Sequence, residues 1–138
     1  MKKIKLINVS DEFEILEVDS IIFDIYVPEM DRVVGRCEFR DEHGRDLWFY
    51  GHIGYVIYPP YRGNNFAYKA CMQMFEYLRK EKGLQEFVIT CNPDNIASKK
   101  TIQKINHKFI KLVDVDEDHE LYQMGDYQKE VYVLTPFG

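Results

Sequence analysis

The sequence predicts an α/β domain of the α+β type, with a central mixed, mostly antiparallel sheet and helices on both faces. Three observations lead there. The first forty residues alternate strand-forming runs with short polar turns, which gives an antiparallel beginning. After residue 50 the pattern becomes strand, helix, strand, helix, which places helices on the faces of a sheet. Glycine and proline fall singly between periodic segments, with no internal repeat or low-complexity linker. A length of 138 residues suits a single core, so one domain over residues 1–138 is expected.

The elements follow in order. Ile4 to Val9 and Ile21 to Val27 read as strands, and Pro28-Glu-Met-Asp31 turns the second into Arg32 to Arg40 as a hairpin. Asp41 to Asp46 reads as a polar turn around Gly44, and Leu47 to Tyr58 as one long strand. Gly51 and Gly54 within that strand mark a bulge or the close approach of a ligand. From about Asn64 to Lys82, apolar residues at Ala67, Ala70, Cys71, Met74 and Leu78 follow helical spacing, and Gly83 ends the helix. Met72, Met74 and Phe75 read as core packing. Glu86 to Cys91 is a short strand, Asn95 to Ile105 a second helix, and Phe109 to Val115 and Glu130 to Leu134 closing strands.

Composition excludes several function classes. A formal charge of −5 supplies no basic stripe for a nucleic-acid backbone. No apolar run approaches a membrane span, and the N-terminal Met1-Lys-Lys-Ile-Lys-Leu-Ile is too short and too quickly polar for a signal peptide. A cytoplasmic protein without a membrane partner is expected. Cys37, Cys71 and Cys91, odd in number and widely spaced, fit neither a disulfide framework nor a zinc site and read as reduced and mostly buried. Asp114-Val-Asp-Glu-Asp118 starts like a calcium loop, but His119 and Gly125 stand where that loop needs glycine and glutamate, so no metal is expected.

The segment Gly51-His-Ile-Gly-Tyr-Val-Ile-Tyr-Pro-Pro-Tyr-Arg-Gly-Asn-Asn-Phe-Ala67 runs a strand into a small-residue turn and then a helix. The first backbone N–H groups of a helix have no intrahelical partner and sit at the positive end of its dipole, so this junction can hold a phosphate. Arg62 adds fixed charge beside it.

The spacing Arg62-x-x-Asn65-x-Ala67 resembles the pyrophosphate-binding signature of the GNAT superfamily of acyl-CoA-dependent N-acetyltransferases, with Asn65 where the family has glycine. A second segment, Val88 to Phe109, is similar to the family's next strand, loop and helix. The resemblance implies that Arg62, Gly63, Asn64, Asn65, Phe66 and Ala67 cradle the pyrophosphate of acetyl-CoA. It also implies that Ile57 offers backbone groups to the pantetheine amides, and that Asn95 and Ser98 bond the pantetheine arm. Asn95 and Ser98 read equally as an ordinary N-cap and first-turn residue. The family carries two helices between its first and second strands, and the room between Ile4 and Arg32 leaves these reduced or absent.

The implied reaction, acetyl transfer to a primary amine by direct attack, needs a base. An alkyl amine with a pKa near 10.4 is about 0.04% deprotonated at pH 7, a cost of roughly 4–5 kcal/mol. The strand carboxylate that serves many family members would fall at Gly51 and is missing. His52 beside it and Glu38 on the preceding strand are the candidate catalytic residues. The family's tyrosine acid would fall at Ile102, so an acid would come from the Tyr122/Tyr127 region or from water. The alternative is a non-catalytic or regulatory acyl-CoA-binding module of the same fold. The expected partner is a small-molecule or peptide amine, and a homodimeric state is left open.

Overall fold

Lys5–Asn8 (β1), Ser20–Val27 (β2), Arg32–Arg40 (β3) and Ile53–Ile57 (β4) form one antiparallel sheet in that order in the computed structural model, which describes residues 2–13 and 18–138. The chain makes two compact units. The first comprises Met1–Asp41 and Ile53–Gln85, the second Glu42–His52 and Glu86–Gly138.

In the first unit the hairpin turn closes through Met30 N–H to Val27 O at 3.1 Å and Asp31 N–H to Pro28 O at 3.1 Å. Asp31 accepts the left-handed φ of 50° that the turn requires, and its carboxylate receives the Tyr26 hydroxyl at 2.6 Å. Alternation in β2 and β3 buries Phe23, Ile25, Val27, Cys37 and Phe39. The helix Phe66–Lys82 (α2) buries Phe66, Ala70, Cys71, Met74, Phe75 and Leu78. Tyr77 of α2 meets Phe23 edge-on, with ring centroids 5.2 Å apart, so the helix covers that face of the sheet. Gln73 of α2 donates to Ile4 O at 3.1 Å and ties the helix to the N-terminal segment. Gly83 stops the helix at φ 69°, as its position in the sequence predicts. Between β1 and β2 the described residues hold a single 3-10 turn, Ser10–Glu12, and no α-helix. Residues 14–17 of that connection lie outside the described residues.

The second unit carries Phe87–Cys91 (β5), His107–Asp114 (β6) and Gln128–Leu134 (β7) in the order β5-β7-β6. The central sheet expected from the sequence is thus divided in two, and every described ladder is antiparallel. The helix Ile96–Gln103 (α3) is fixed to β7 by Lys99 and Glu130, 3.0 Å apart. Phe49, Val115 and Leu121 form a small core under Trp48, Tyr50, Val113 and Tyr122.

Two expectations need correction. The predicted polar turn and long strand over residues 41–58 are instead the helix Gly44–Tyr50 (α1) followed by the five-residue β4. Gly51 is the residue that separates them. It closes α1 by donating its N–H to Leu47 O at 2.9 Å, with φ at 69°. It therefore ends a helix and does not lie in a strand. The short helix Glu120–Gln123 (α4) was also absent from the sequence reading, and His119 caps it by accepting the Leu121 N–H at 3.1 Å. The stretch resembling a calcium loop is occupied by a cation of the protein itself, since Arg45 bonds Asp116 and Asp118 at 3.1 Å each.

Gly35 is the tightest glycine. Paired with Ile57 across the β3–β4 ladder, it leaves 2.2 Å between the place of a Cβ and Val56 O. Gly35→Ala is expected to destabilise the protein by at least about 2 kcal/mol, because a backbone carbonyl must move. Chemical denaturation measures this, and an unchanged midpoint would contradict the packing described. Burial raises the Cys71 thiol to about 12, and burial next to Cys71 raises Cys37 further still. Raised values keep both sulfurs protonated at pH 8, so iodoacetamide should label them only after unfolding.

Candidate functional site

The connection from β4 to α2 is built from three local devices. Pro59–Tyr61 makes a 3-10 turn after β4. The Asn64 side chain then donates to Tyr61 O at 2.9 Å and Arg62 O at 3.4 Å, folding the loop on itself. Gly63 and Asn65 take left-handed backbone at φ 84° and 64°. Asparagine is among the few side chains that tolerate this region, which is why it can stand in a glycine position. Asn65 is the N-cap of α2, and the first turn carries no acidic residue. The amides at Phe66 and Ala67 open the helix beside a hollow of about 340 Å³ lined by Lys2, Gly63, Asn64, Asn65 and Phe66. Lys69, whose ammonium lies 5.8 Å from the Phe66 ring centroid, adds a further cation. Bare amides, a helix N-terminus and nearby cations fit an anion.

Arg62 is exposed and donates through Nε to Ile57 O at 3.1 Å. The carbonyl of Ile57 thus already accepts one bond, and a further donor would use its second lone pair.

Glu38 sits on the opposite face of the same sheet from α2. Arg36, Glu38 and Arg40 alternate with the buried Cys37 and Phe39, so period two places all three charges on one surface. Arg40 Nη1 bonds Glu38 Oε1 at 2.5 Å, and Arg40 Nη2 reaches Ile53 O at 3.4 Å. Gly54 is opposite Glu38 in the register, and a Cβ there would stand 2.6 Å from Arg40 Nη1. The room that Gly54 leaves is therefore used by the Arg40 guanidinium. Arg36 bonds Asp24 Oδ1 through Nε at 3.1 Å and Nη2 at 3.0 Å, and lies 5.1 Å from the Phe13 ring centroid. Together with Ile22, Tyr55 and Val56 these residues line a cavity of about 450 Å³.

In the second unit, His52 is held by β5. Its N–H donates to Val88 O at 2.8 Å, and its Nδ1 accepts the Val88 N–H at 3.1 Å. A neutral imidazole has one lone pair for a proton, and here it faces a main-chain amide. Gly51 packs against the same strand, with only 2.9 Å from a Cβ position to Val88 O. Asn95 caps α3 by accepting the Ser98 N–H at 3.1 Å. Ile102, where the resemblance would place a tyrosine, is 1% exposed and belongs to the core. Tyr122 and Tyr127 stack edge-on at 4.8 Å.

A network that the sequence reading did not anticipate joins Tyr132, Glu130 and Lys99. The Tyr132 hydroxyl donates to Glu130 at 2.7 Å, and burial together with that carboxylate pushes it up to about 12. Partial burial works against the charge of Glu130, but the bonds from Tyr132 and Lys99 hold its carboxyl below the usual range. Period two in β7 gives a cue to the first pair, since Glu130 and Tyr132 share a face. Lys99 comes from another element and has no sequence cue. Arg36 and Arg40 were equally readable from alternation in β3, and Phe13 was not.

The residues expected at the site divide between the units. Glu38, Ile57 and Arg62 to Ala67 belong to the first, and His52, Asn95 and Ser98 to the second.

Residues 9–108 match the family described as an acetyltransferase (GNAT) domain. The uncharacterized N-acetyltransferase YnaD of Bacillus subtilis is 30% identical over 83 residues, 60% of this chain and 47% of that protein. This chain therefore spans about half the length of that curated relative. The ribosomal-protein-S5-alanine acetyltransferase of Vibrio fischeri superposes with a TM-score of 0.68 at 15% identity, covering 86% of this chain and 62% of the other. The microcin C7 self-immunity acetyltransferase MccE, solved with acetyl-CoA and AMP, gives a TM-score of 0.65 at 18% identity over 84% of this chain and 61% of the other. Among the described residues no helix is long and apolar enough to cross a membrane.

Proposed function

The chain belongs to the GNAT acetyltransferase family, and from that premise we propose that it transfers an acetyl group from acetyl-CoA to a primary amine by direct attack. The observation that carries this reading is the opening of α2, where Gly63 and Asn65 take left-handed backbone and the start of the helix lines a hollow together with Lys2. Arg62, Gly63, Asn64, Asn65, Phe66 and Ala67 hold the pyrophosphate in this proposal, and Ile57 offers backbone to pantetheine. Asn95 and Ser98, at the start of α3, bond the pantetheine arm in the same reading.

Glu38 is the base of choice. Arg40 fixes one of its carboxylate oxygens, and the group opens on a cavity of a size suited to a small ligand. The amine nitrogen attacks the thioester carbonyl carbon and its proton passes to Glu38, directly or through water. The C–S bond then breaks and CoA leaves as a thiolate. His52 is the weaker candidate, because its lone pair at Nδ1 is taken up by Val88 N–H. It acts in this reading as a positioning residue for the α1–β4 junction.

A second reading, an acyl-CoA-binding module without chemistry, is favoured by one observation, the burial of Ile102 where the resemblance places the acid. Calorimetry with acetyl-CoA and thiol release across an amine panel separate the two. Binding without thiol release from any amine supports the module, and absence of binding rejects both.

Two variants give quantitative checks. Arg62→Ala should weaken CoA binding about tenfold through loss of a charge-assisted phosphate contact, and unchanged affinity would refute the pyrophosphate placement. Glu38→Gln should lower kcat about 100-fold with little change in the KM for acetyl-CoA. A kcat within twofold of the parent would remove Glu38 from the chemistry.

A further inference from the structure

We propose that the acceptor is a small zwitterion: a primary amine with a carboxylate or phosphate a few bonds away. The proposal rests on the acetyl-transfer reading above and deepens it. It comes from the order of charges along one face of β3.

Arg36, Glu38 and Arg40 point into the same cavity of about 450 Å³, so its floor reads positive, negative, positive. Successive members lie two residues apart on a strand, about 6.6 Å between Cα atoms. An ammonium placed at Glu38 therefore has a guanidinium within reach of any anion a few bonds from it. The two arginines differ in how far they are committed. Arg40 bonds both Glu38 and Ile53 O and its side chain is 20% exposed, so it braces the carboxylate. Arg36 is 36% exposed and turns two of its five N–H donors toward a single oxygen of Asp24. A planar guanidinium pairs readily with a second carboxylate or phosphate, which makes Arg36 the anion clamp.

Phe13 and Val56 complete the argument. The Phe13 ring backs the Arg36 guanidinium and lines the cavity, and Val56 stands half-exposed on β4, so the short carbon chain joining the two charges has apolar walls. A polyamine suits this floor poorly. Its second ammonium would lie against Arg36 or Arg40 on either side of Glu38, where like charges repel. A monoamine without an anion would satisfy Glu38 but leave Arg36 to Asp24.

The test pairs amines that differ only in the anion: an ω-amino acid, the matching aminoalkyl phosphate, the alkylamine of equal length without an anion, a polyamine and a dipeptide amide, which lacks the carboxylate. Calorimetry with acetyl-CoA is run first on the intact chain. Failure to bind acetyl-CoA defeats the acetyl-transfer reading itself. With acetyl-CoA bound, thiol release should show kcat/KM at least tenfold higher for one of the zwitterions than for its anion-free counterpart, and the two zwitterions tell carboxylate from phosphate. Arg36→Gln should collapse that preference to within about twofold, mainly by raising KM, while Arg36→Lys retains part of it. Retained acetyl-CoA affinity shows that each variant is folded. Saturation-transfer NMR reads amine binding without turnover: a zwitterion signal that Arg36→Gln abolishes supports the proposal. Preference for the polyamine, the anion-free alkylamine or the dipeptide amide overturns it, as does an undiminished zwitterion preference in Arg36→Gln or the absence of any zwitterion signal.

Discussion

The helix α2 must bury Phe66, Ala70, Cys71, Met74, Phe75 and Leu78, and the face of the β1–β4 sheet carrying Phe23, Ile25, Cys37 and Phe39 is where it does so. Each of the larger side chains, the Phe, Ile, Leu and Met residues, contributes roughly 1.5–3 kcal/mol of burial, so the register between helix and sheet is strongly held. Two consequences follow from strand alternation and chain connectivity alone. In the second half of β3 the residues that alternate with the core, Arg36, Glu38 and Arg40, are turned to the other face. The start of α2 is brought back to the end of β4, and the chain must reverse over eight residues, from Tyr58 to Asn65. That reversal needs left-handed backbone, and Gly63 and Asn65 supply it. The same packing that stabilises the first unit thus sets both the left-handed turn before α2 and the charged cavity.

Glycine placement reinforces the arrangement. Gly35 lets β3 approach Val56 and Ile57 of β4 more closely than any side chain would allow. Gly54 lets the Arg40 guanidinium lie flat over β4, and from there it holds Glu38. In the second unit, Gly51 both closes α1 and fits against Val88 and Ile89 of β5. The sequence reading gave Gly51 and Gly54 one shared role, a strand bulge or the close approach of a ligand. Their roles are different, and neither space is empty.

What was legible in the sequence is what local chemistry determines. The β2–β3 hairpin followed from Pro28 to Asp31, and α2 from its apolar period and Gly83. The left-handed turn between β4 and α2 followed from Arg62 to Ala67, whose small residues act within six positions. The helix α1 was not legible, because Leu47-Trp-Phe-Tyr50 is an aromatic run with strand propensity and seven residues are too few to display a helical period. Tertiary contacts settle it: Phe49 O accepts from Thr90 Oγ1 at 2.9 Å, Tyr50 bonds Glu120, and Lys111 lies 4.3 Å from the Trp48 ring centroid. At the candidate site, Glu38 was visible from its place on β3. The pairing of Arg40 with Glu38 is within reach of alternation in β3, but the hold of Arg40 on Ile53 O and the placing of Phe13 against Arg36 depend on cross-strand and loop contacts that no spacing reveals. His52 changed meaning for the same reason, since its partner Val88 is distant in sequence.

The contrast between Glu38 and Ile102 bears on how much machinery the proposed reaction requires. Deprotonating an alkyl amine costs roughly 4–5 kcal/mol at neutral pH, and that cost falls before or during attack, so a carboxylate beside the amine acts where the barrier is highest. The departing thiolate is a far weaker base, with a thiol pKa near 8.5, and it leaves at neutral pH with little help from an acid. Loss of a tyrosine at position 102 is therefore the cheaper of the two losses. Positioning supplies much of the remainder, because holding two reactants in attack geometry is worth about 7–11 kcal/mol in well-oriented systems. Such positioning demands a cavity that grips the acceptor at more than one point. A floor bearing Arg36 and Glu38 with an aromatic wall at Phe13 offers three points to a zwitterion and one fewer to an amine without an anion.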